Sequence, residues 1–303
     1  MTLAWPLLTK LLALIQSRLD GDLSLEALAK QADISPWQLQ RGFKAALGES
    51  PKAYVERLRI ERGAFRMLVQ DASLLEISLD CGFQTPETFA RAFRRRHGQS
   101  PHAWRRERWA VLAGAGAQES MQGSALEPPD FRLSETRLVR LQSLHLASVR
   151  HLGPYEAVPE SLFDTLAAWA DCRRLPGQRH WLGIGHDAPG ITAMTDLRFD
   201  AALIVDGPFD SDGPVVHRVL PGGSFALTTH VGSYATLPMA YAEILPRLLG
   251  DRRWTVIGLP AVEFYHCPQV CVRAALNHTD ICLPVALAND TDPTRQGAAS
   301  DRP

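Results

Sequence analysis

Leu7, Leu8, Leu11, Leu12, Ile15 and Leu19 recur at three- and four-residue intervals, a spacing that predicts an amphipathic helix over residues 6–19. The helical pattern continues from residue 24 to about 106 and contains a repeat. Leu25, Glu26, Pro36, Arg41, Phe43, Gly48, Ser50, Pro51 and Ala53 return fifty positions later as Leu75, Glu76, Pro86, Arg91, Phe93, Gly98, Ser100, Pro101 and Ala103. Each copy opens with a short helix, bearing Leu25, Leu28 and Ala29 in the first and Leu75, Ile77 and Leu79 in the second. A turn follows, Ala32-Asp33-Ile34 or Cys81-Gly82-Phe83, and Ser35-Pro36 or Thr85-Pro86 restarts the chain as N-cap and first helical residue. Leu39 and Phe43, like Phe89 and Phe93, then face inward at i and i+4. A long helix from Pro51 to about Leu68 joins the copies, so the stretch reads as two helix-turn-helix units.

Beyond the paired prolines Pro128-Pro129 the pattern changes. Short β-branched runs such as 201–205 and 225–229 alternate with helical stretches near 157–171 and 236–249. A second repeat appears here: His151-Leu-Gly-Pro-Tyr155-x-x-x-Pro159 returns 79 positions on as His230-Val-Gly-Ser-Tyr234-x-x-x-Pro238. Two copies at such periods are too few and too long for a solenoid, so each repeat reads as a two-fold duplicated domain. The expected architecture is multidomain. An all-α double helix-turn-helix domain (1–110) and a linker (111–130) precede an α+β domain of duplicated strand-helix-strand units (131–288), with a flexible tail over 289–303.

Composition narrows the classes. A net charge of −1 conceals a division: residues 1–112 hold 17 Lys+Arg against 12 Asp+Glu, and residues 113–303 hold 15 against 21. A basic first third with an acidic remainder suggests two domains with different partners. A hydrophobic content of 46% excludes disorder of the whole chain. The absence of an 18-residue apolar run, of a basic leader and of a disulfide-like cysteine pattern fits a cytoplasmic protein with no membrane contact. Cys267-x-x-x-Cys271 lacks a second pair at zinc spacing, so the five cysteines read as structural thiols and neither a metal nor a cofactor is expected.

The two restarted helices carry side chains suited to a DNA duplex. Arg41 and Arg91 occupy equivalent positions, and each can give a bidentate hydrogen bond to guanine in a major groove. Gln40 can read adenine, and Gln38 and Lys44 lie beside it on the polar faces. Trp37 can meet a thymine methyl, brace the backbone or simply pack. Glu87 and Thr88 complete the second helix, where Glu87 can equally serve as a capping charge. Arg94, Arg95, Arg96, Arg105 and Arg106 suit phosphates, which position without specifying. Arg57, Arg59, Arg62 and Arg66 on the connecting helix read as solvated or paired with Glu56 and Glu61. Two such helices on one stiff connector would let a monomer read an asymmetric site of about two helical turns.

Ser-Pro-Trp-x-Leu-Gln-Arg-x-Phe-Lys over 35–44 and Gly82-Phe83-x-Thr-Pro-Glu-x-Phe-x-Arg-x-Phe93, followed by Gly98-x-Ser-Pro101, resemble the AraC/XylS transcription-factor signature. The resemblance covers about residues 7–108. It implies base or backbone contacts from Trp37, Gln40, Arg41, Glu87, Thr88 and Arg91, and RNA polymerase as a further partner. Glu87 departs from relatives that carry Gln; its carboxylate would favour cytosine and repel phosphate. Ser78 stands where a small apolar Ala is usual.

In the acidic part, Glu263 sits among Val262, Phe264 and Tyr265 on a strand-like run. A carboxylate there is costly to bury unless paired, and a cationic or hydrogen-bonding ligand would supply the pairing, with aromatic faces adding cation–π attraction. The alternative places Glu263 on the solvent face of the strand. Val149-Arg-His-x-Gly-Pro-Tyr155, Gly183-Ile-Gly-His-Asp187, Asp200-Ala-Ala202, Gly222-Gly-x-Phe-Ala226, His230-x-Gly-x-Tyr234, Glu263-x-Tyr265 and Asp280-x-x-Leu-Pro284 together resemble the GyrI-like small-molecule-binding domain. The resemblance implies an amphipathic or cationic effector held by Glu263, with Tyr155, Trp169, Tyr234, Trp181 and Tyr265 as aromatic lining. Leu245-Pro-Arg-Leu-Leu-Gly-Asp251 departs from the family pattern. Two other readings stay open: a hydrolase using Glu263 near Tyr155 or His266 as base, or a module that contacts only protein partners. Neither a Gly-x-Ser-x-Gly elbow nor a His-Glu-x-x-His motif is present, so no catalytic residue is expected.

Overall fold

The computed structural model describes residues 3, 5–118, 130–211, 213–251, 253–257, 260–266 and 277–287. The first part is helical: α1 Trp5–Ser17, α2 Leu25–Gln31, α3 Pro36–Leu47, α4 Pro51–Val69, α5 Leu74–Asp80, α6 Pro86–His97 and α7 Pro101–Gln118. The starts follow the side chains that cap them. Ser24, Ser35, Ser50, Ser73 and Thr85 each accept a backbone N–H three residues on. α3 and α6 both end on a left-handed glycine, Gly48 and Gly98 at φ 76° and 75°.

Each helix-turn-helix unit has its own core. Leu39 and Phe43 of α3 pack against Leu8, Leu12 and Ile15 of α1, Leu28 of α2, and Tyr54, Val55 and Leu58 of α4. Phe89 and Phe93 of α6 pack against Ile60, Ala64 and Met67 of α4, Ile77 of α5 and Trp104 of α7. Edge-on and tilted ring contacts of 5.3–5.6 Å tie Phe83, Phe89, Phe93 and Trp104 together. α4 is thus the shared wall of both units.

The second part is one antiparallel sheet with two helices. Its elements are β1 Phe131–Leu133, β2 Arg137–Leu141, β3 Leu144–Leu152, α8 Ser161–Cys172, β4 Trp181–Gly185, β5 Arg198–Val205, β6 Val216–Leu220, β7 Gly223–Gly232, α9 Leu237–Gly250, β8 Trp254–Val256, β9 Ala261–Tyr265 and β10 His278–Leu287. The order is β1-β7-β10-β9-β4-β5-β3-β6, with β2 also on β7 and β8 on β10. The 79-residue repeat is structural: β2 maps onto β6, and β3 onto β7. The copies meet at β4 and β9, where Gly183 faces Glu263. They also trade strands. β2 runs straight into β3 but pairs with β7, and β6 runs straight into β7 but pairs with β3.

Two expectations shift. α7 runs on to Gln118, into the segment read as linker from 111, because its alanines favour helix and its glycines cost only about 1 kcal/mol each. Residues 119–129 lie outside the described set, as do 288–303, where the tail was expected. The first helix of the sheet domain begins at Ser161 rather than 157, since Pro159 disfavours helical geometry at Val158.

The two parts are packed together. Phe65 and Val69 of α4 enter a core formed by Ala226, Ile244, Leu248, Trp254 and Val256, and the Gln70 side-chain amide donates to the Val256 carbonyl at 3.1 Å. Phe65 is 6% exposed, so Phe65→Ala should cost about 3–5 kcal/mol, measured by urea unfolding. The sheet domain should then undock, giving two transitions in place of one.

Candidate nucleic-acid interface and ligand pocket

With Leu39 and Phe43 fully buried, α3 turns Trp37, Gln40, Arg41 and Lys44 to solvent. Trp37 is 65% exposed, which removes the packing reading. The Arg41 guanidinium lies 5.2 Å over the Trp37 ring, so the free protein already holds this arginine on the outer face. Gln38 is exposed but partly committed: its side-chain oxygen accepts the Ser35 N–H at 3.0 Å in a capping box.

On α6, Glu87, Arg91, Arg94 and Arg95 are exposed and Thr88 is half-buried. The Thr88 hydroxyl donates to the Thr85 carbonyl at 2.7 Å. Hydrogen bonds from its own backbone N–H and from Thr85 hold the Glu87 carboxyl below its ordinary pKa, so it caps α6 as an anion. Arg95 pairs with Glu56.

Two arginines expected on phosphate are spent internally. Arg96, an exposed residue, bonds Glu61 at 2.8 Å. Arg105 donates to the carbonyls of Gln70 and Ala72, closing the end of α4. On α4 itself, Arg57 binds Glu49, Arg59 donates to the Leu19 and Gly21 carbonyls, and Arg66 pairs with Asp80. Of the pairings expected there, Glu61 lies 3.6 Å from Arg57, whereas Glu56 goes to Arg95.

The pocket is built by strand alternation. Val262 and Phe264 enter the core on one face of the sheet, while Ala261, Glu263 and Tyr265 point to the face covered by α8 and α9. Glu263 is 9% exposed, so the solvent-face alternative fails. Two phenols satisfy it: Tyr241 of α9 donates at 2.8 Å and Tyr265 at 2.5 Å. Burial pushes the Glu263 carboxyl above its ordinary value, and the two phenols offset this only in part. Among the described residues, no cation pairs with it. Gly183 opposite makes the arrangement possible, since a Cβ there would stand 2.1 Å from the Tyr265 hydroxyl and 2.7 Å from the Phe199 ring.

Aromatic rings surround the carboxylate. Tyr234 and Phe163 meet Tyr265 at 5.4 and 5.8 Å, Phe163 meets Trp181 at 6.0 Å, and Tyr155 meets Phe199 at 6.1 Å. Tyr155 also spends its hydroxyl on the backbone of Asp187, donating to the carbonyl at 2.8 Å and accepting the N–H at 3.1 Å. Trp169 is a correction: its ring lies on Phe209 at 4.7 Å and under Arg173 at 4.8 Å, outside this group. Helical periodicity put it inward without saying along which flank of α8. Sequence reasoning missed Phe163, Phe199, Gly183 and Tyr241. The available signal for Tyr241 was a phenol on the apolar side of a helix, where its hydroxyl needs a partner. His266 bonds Asp280 at 2.9 Å rather than Glu263. Cys81 and Cys282 are buried, with burial raising their pKa to about 11 and about 12, whereas Cys267 and Cys271 lie outside the described residues.

Comparison with known proteins matches both parts. A family described as a helix-turn-helix domain covers residues 28–107, and one described as a GyrI-like small molecule binding domain covers 134–286, half of the chain. The Right origin-binding protein of Escherichia coli K12 is 29% identical over 73% of this chain and 77% of its own length. The transcriptional regulator MtrA of Neisseria gonorrhoeae is 35% identical over 31% of this chain and 32% of its own. A cryo-EM structure of an EcmrR–DNA complex aligns with 87% of this chain and 99% of its own at 14% identity and a TM-score of 0.43. Among the described residues, no helix is long and apolar enough to cross a membrane.

The raised pKa of Glu263 sets a sign. The folded state holds this proton more tightly than the unfolded chain, so its contribution to stability falls as pH rises above the ordinary value of 4.5. In urea unfolding without ligand, Glu263→Gln should therefore be more stable than wild type at pH 7, and the difference should close as the pH drops below 4.5. A constant difference across that range would mean that the carboxyl is not desolvated.

Proposed function

The chain belongs to the GyrI-like small-molecule-binding family, is joined to an AraC-type helix-turn-helix reader and is a DNA-binding transcriptional regulator; on that premise we propose how each part works. α3 and α6 enter successive major-groove segments of double-stranded DNA. Trp37, Gln40 and Arg41 face the bases from the first, and Glu87, Thr88 and Arg91 from the second. Arg94 and Arg95 take phosphates, with Arg95 leaving Glu56 to do so, and Gln38 mainly secures its own helix. Because α4 fixes the two units relative to each other, one chain suffices for an asymmetric site. The reader extends to the end of α7 at Gln118, and the sensor occupies 131–288. The regulator works in the cytoplasm together with RNA polymerase.

The sensor reading is supported by one observation: a buried carboxylate whose two oxygens are held by phenols and, among the described residues, by no cation. A lipophilic cation would bring the missing charge, and the ring of tyrosines around Glu263 would supply its apolar and cation–π contacts. The phenols satisfy the site meanwhile, so an effector must displace at least one of them. It changes DNA affinity only as far as it binds the DNA-competent arrangement differently from the other. A non-catalytic sensor fits its regulator relatives, and both Tyr155 and His266 are hydrogen-bonded away from Glu263.

Arg41→Ala and Arg91→Ala should each weaken specific binding by about 1–3 kcal/mol at matched salt and relax discrimination at their own base positions, read by competition footprinting. Wild-type affinity in both variants would mean that other faces read the DNA. Calorimetry with tetraphenylphosphonium tests the sensor. Glu263→Gln should lose most of the affinity and keep effector-free DNA binding, and unchanged affinity would remove Glu263 from the site.

A further inference from the structure

The segment between β4 and β5, residues 186–197, is closed at its neck by one phenol of the effector pocket. The Tyr155 hydroxyl donates to the Asp187 carbonyl at 2.8 Å, accepts the Asp187 N–H at 3.1 Å and lies 3.3 Å from the Arg198 carbonyl. Beside it, the Asp187 carboxylate accepts the Arg198 backbone N–H and Nε at 2.8 Å each, and the His186 N–H donates to the Arg198 carbonyl at 3.0 Å. The Tyr155 ring meets Phe199 at 6.1 Å, and Phe199 stands against Gly183, the residue opposite Glu263. The neck of the loop is therefore part of the wall around the carboxylate.

The far end of the loop reaches the reader. Ile191 is half-buried and packs on the core of the second helix-turn-helix unit as well as on the core that α4 shares with α9. Asp196 lies 3.7 Å from Nη2 of Arg96 on α6 and 4.0 Å from Nε of Arg57 on α4. Those two arginines also meet Glu61, at 2.8 and 3.6 Å, so the loop rests where α6 is tied to α4. Between its ends the loop is braced by its own backbone. The N–H groups of Ile191 and Thr192 both donate to the Ala188 carbonyl at 3.1 Å, and that of Asp196 donates to Ala193 at 2.8 Å.

We propose that this loop is the lever that carries effector binding to α6, with Ile191 and Asp196 as positioning residues. The proposal rests on the sensor reading of Glu263 and says where its signal leaves the pocket. A cation seated among the tyrosines turns the Tyr155 ring, and the hydroxyl gives up its bonds to the neck. The braced loop then shifts as a piece, and Ile191 and Asp196 change their hold on the second unit. That change in contact is the differential affinity through which effector and DNA sense each other.

The experiment uses the full chain and an operator fragment selected with it in vitro. Tetraphenylphosphonium should shift the operator affinity of wild type at least about fivefold, and operator should shift tetraphenylphosphonium affinity by the same factor. Asp196→Asn combined with Ile191→Ala should bind tetraphenylphosphonium alone and operator alone as wild type does, yet reduce the mutual shift to less than about twofold. A second arm needs no effector. Tyr155→Phe keeps the ring and removes the hydroxyl, so amide hydrogen exchange should quicken in residues 186–197 and in α6 while α3 exchanges as in wild type. The proposal is overturned if bound tetraphenylphosphonium leaves wild-type operator affinity unchanged, if the double variant keeps the full shift, or if Tyr155→Phe leaves exchange in α6 untouched. Should tetraphenylphosphonium fail to bind wild type, the Glu263 reading falls, and the exchange arm alone decides whether the loop holds α6.

Discussion

One 19-residue helix belongs to three hydrophobic cores at once, and the rest of the molecule is arranged around that constraint. Tyr54, Val55 and Leu58 of α4 close the first helix-turn-helix core, Ile60, Ala64 and Met67 close the second, and Phe65 and Val69 enter the sheet domain. At about 1.5 Å per residue the helix is roughly 28 Å long, so the offset between the recognition helices is fixed by a rigid spacer. The crowding is visible at Gly63, where a Cβ would come within 2.6 Å of the Phe89 ring. A helix this committed has little surface left for DNA, and three of its four arginines, Arg57, Arg59 and Arg66, bind neighbouring carboxylates and carbonyls instead.

The candidate ligand site shows how this fold carries a buried charge. At Glu263 the anion is kept by neutral donors, a compromise that satisfies hydrogen bonds but leaves the charge uncompensated. The arrangement is poised for a charge.

Local features were legible in the sequence because local physics decides them. Ser24, Ser35 and Thr85 mark helix starts through hydrogen bonds made within one turn, and Phe89 and Phe93 announce a core by spacing alone. The exposed placement of Trp37, Arg41 and Arg91 followed from the same periodicity. Contacts between distant segments were not legible. Arg96 and Arg105 look like any surface arginine until α4 is placed beside them. Phe65 and Val69 read as ordinary apolar helix positions, and nothing in their spacing says that a sheet covers them. Tyr241 was missed, and Trp169 was set beside Glu263, because periodicity gives depth and not the neighbour across a groove.

The traded strands have a further consequence. Neither copy of the sensor repeat can finish its own sheet: the edge of β3 is closed by β6, and β2 spends itself on β7, with Arg137 opposite Leu227. During synthesis the first copy must therefore wait, incomplete, for the first two strands of the second to leave the ribosome, and pairings so distant in sequence form slowly. The same geometry sketches an ancestor. Two chains of a single copy would meet the identical need by swapping a strand with each other, so the present domain has the topology of a domain-swapped dimer made covalent.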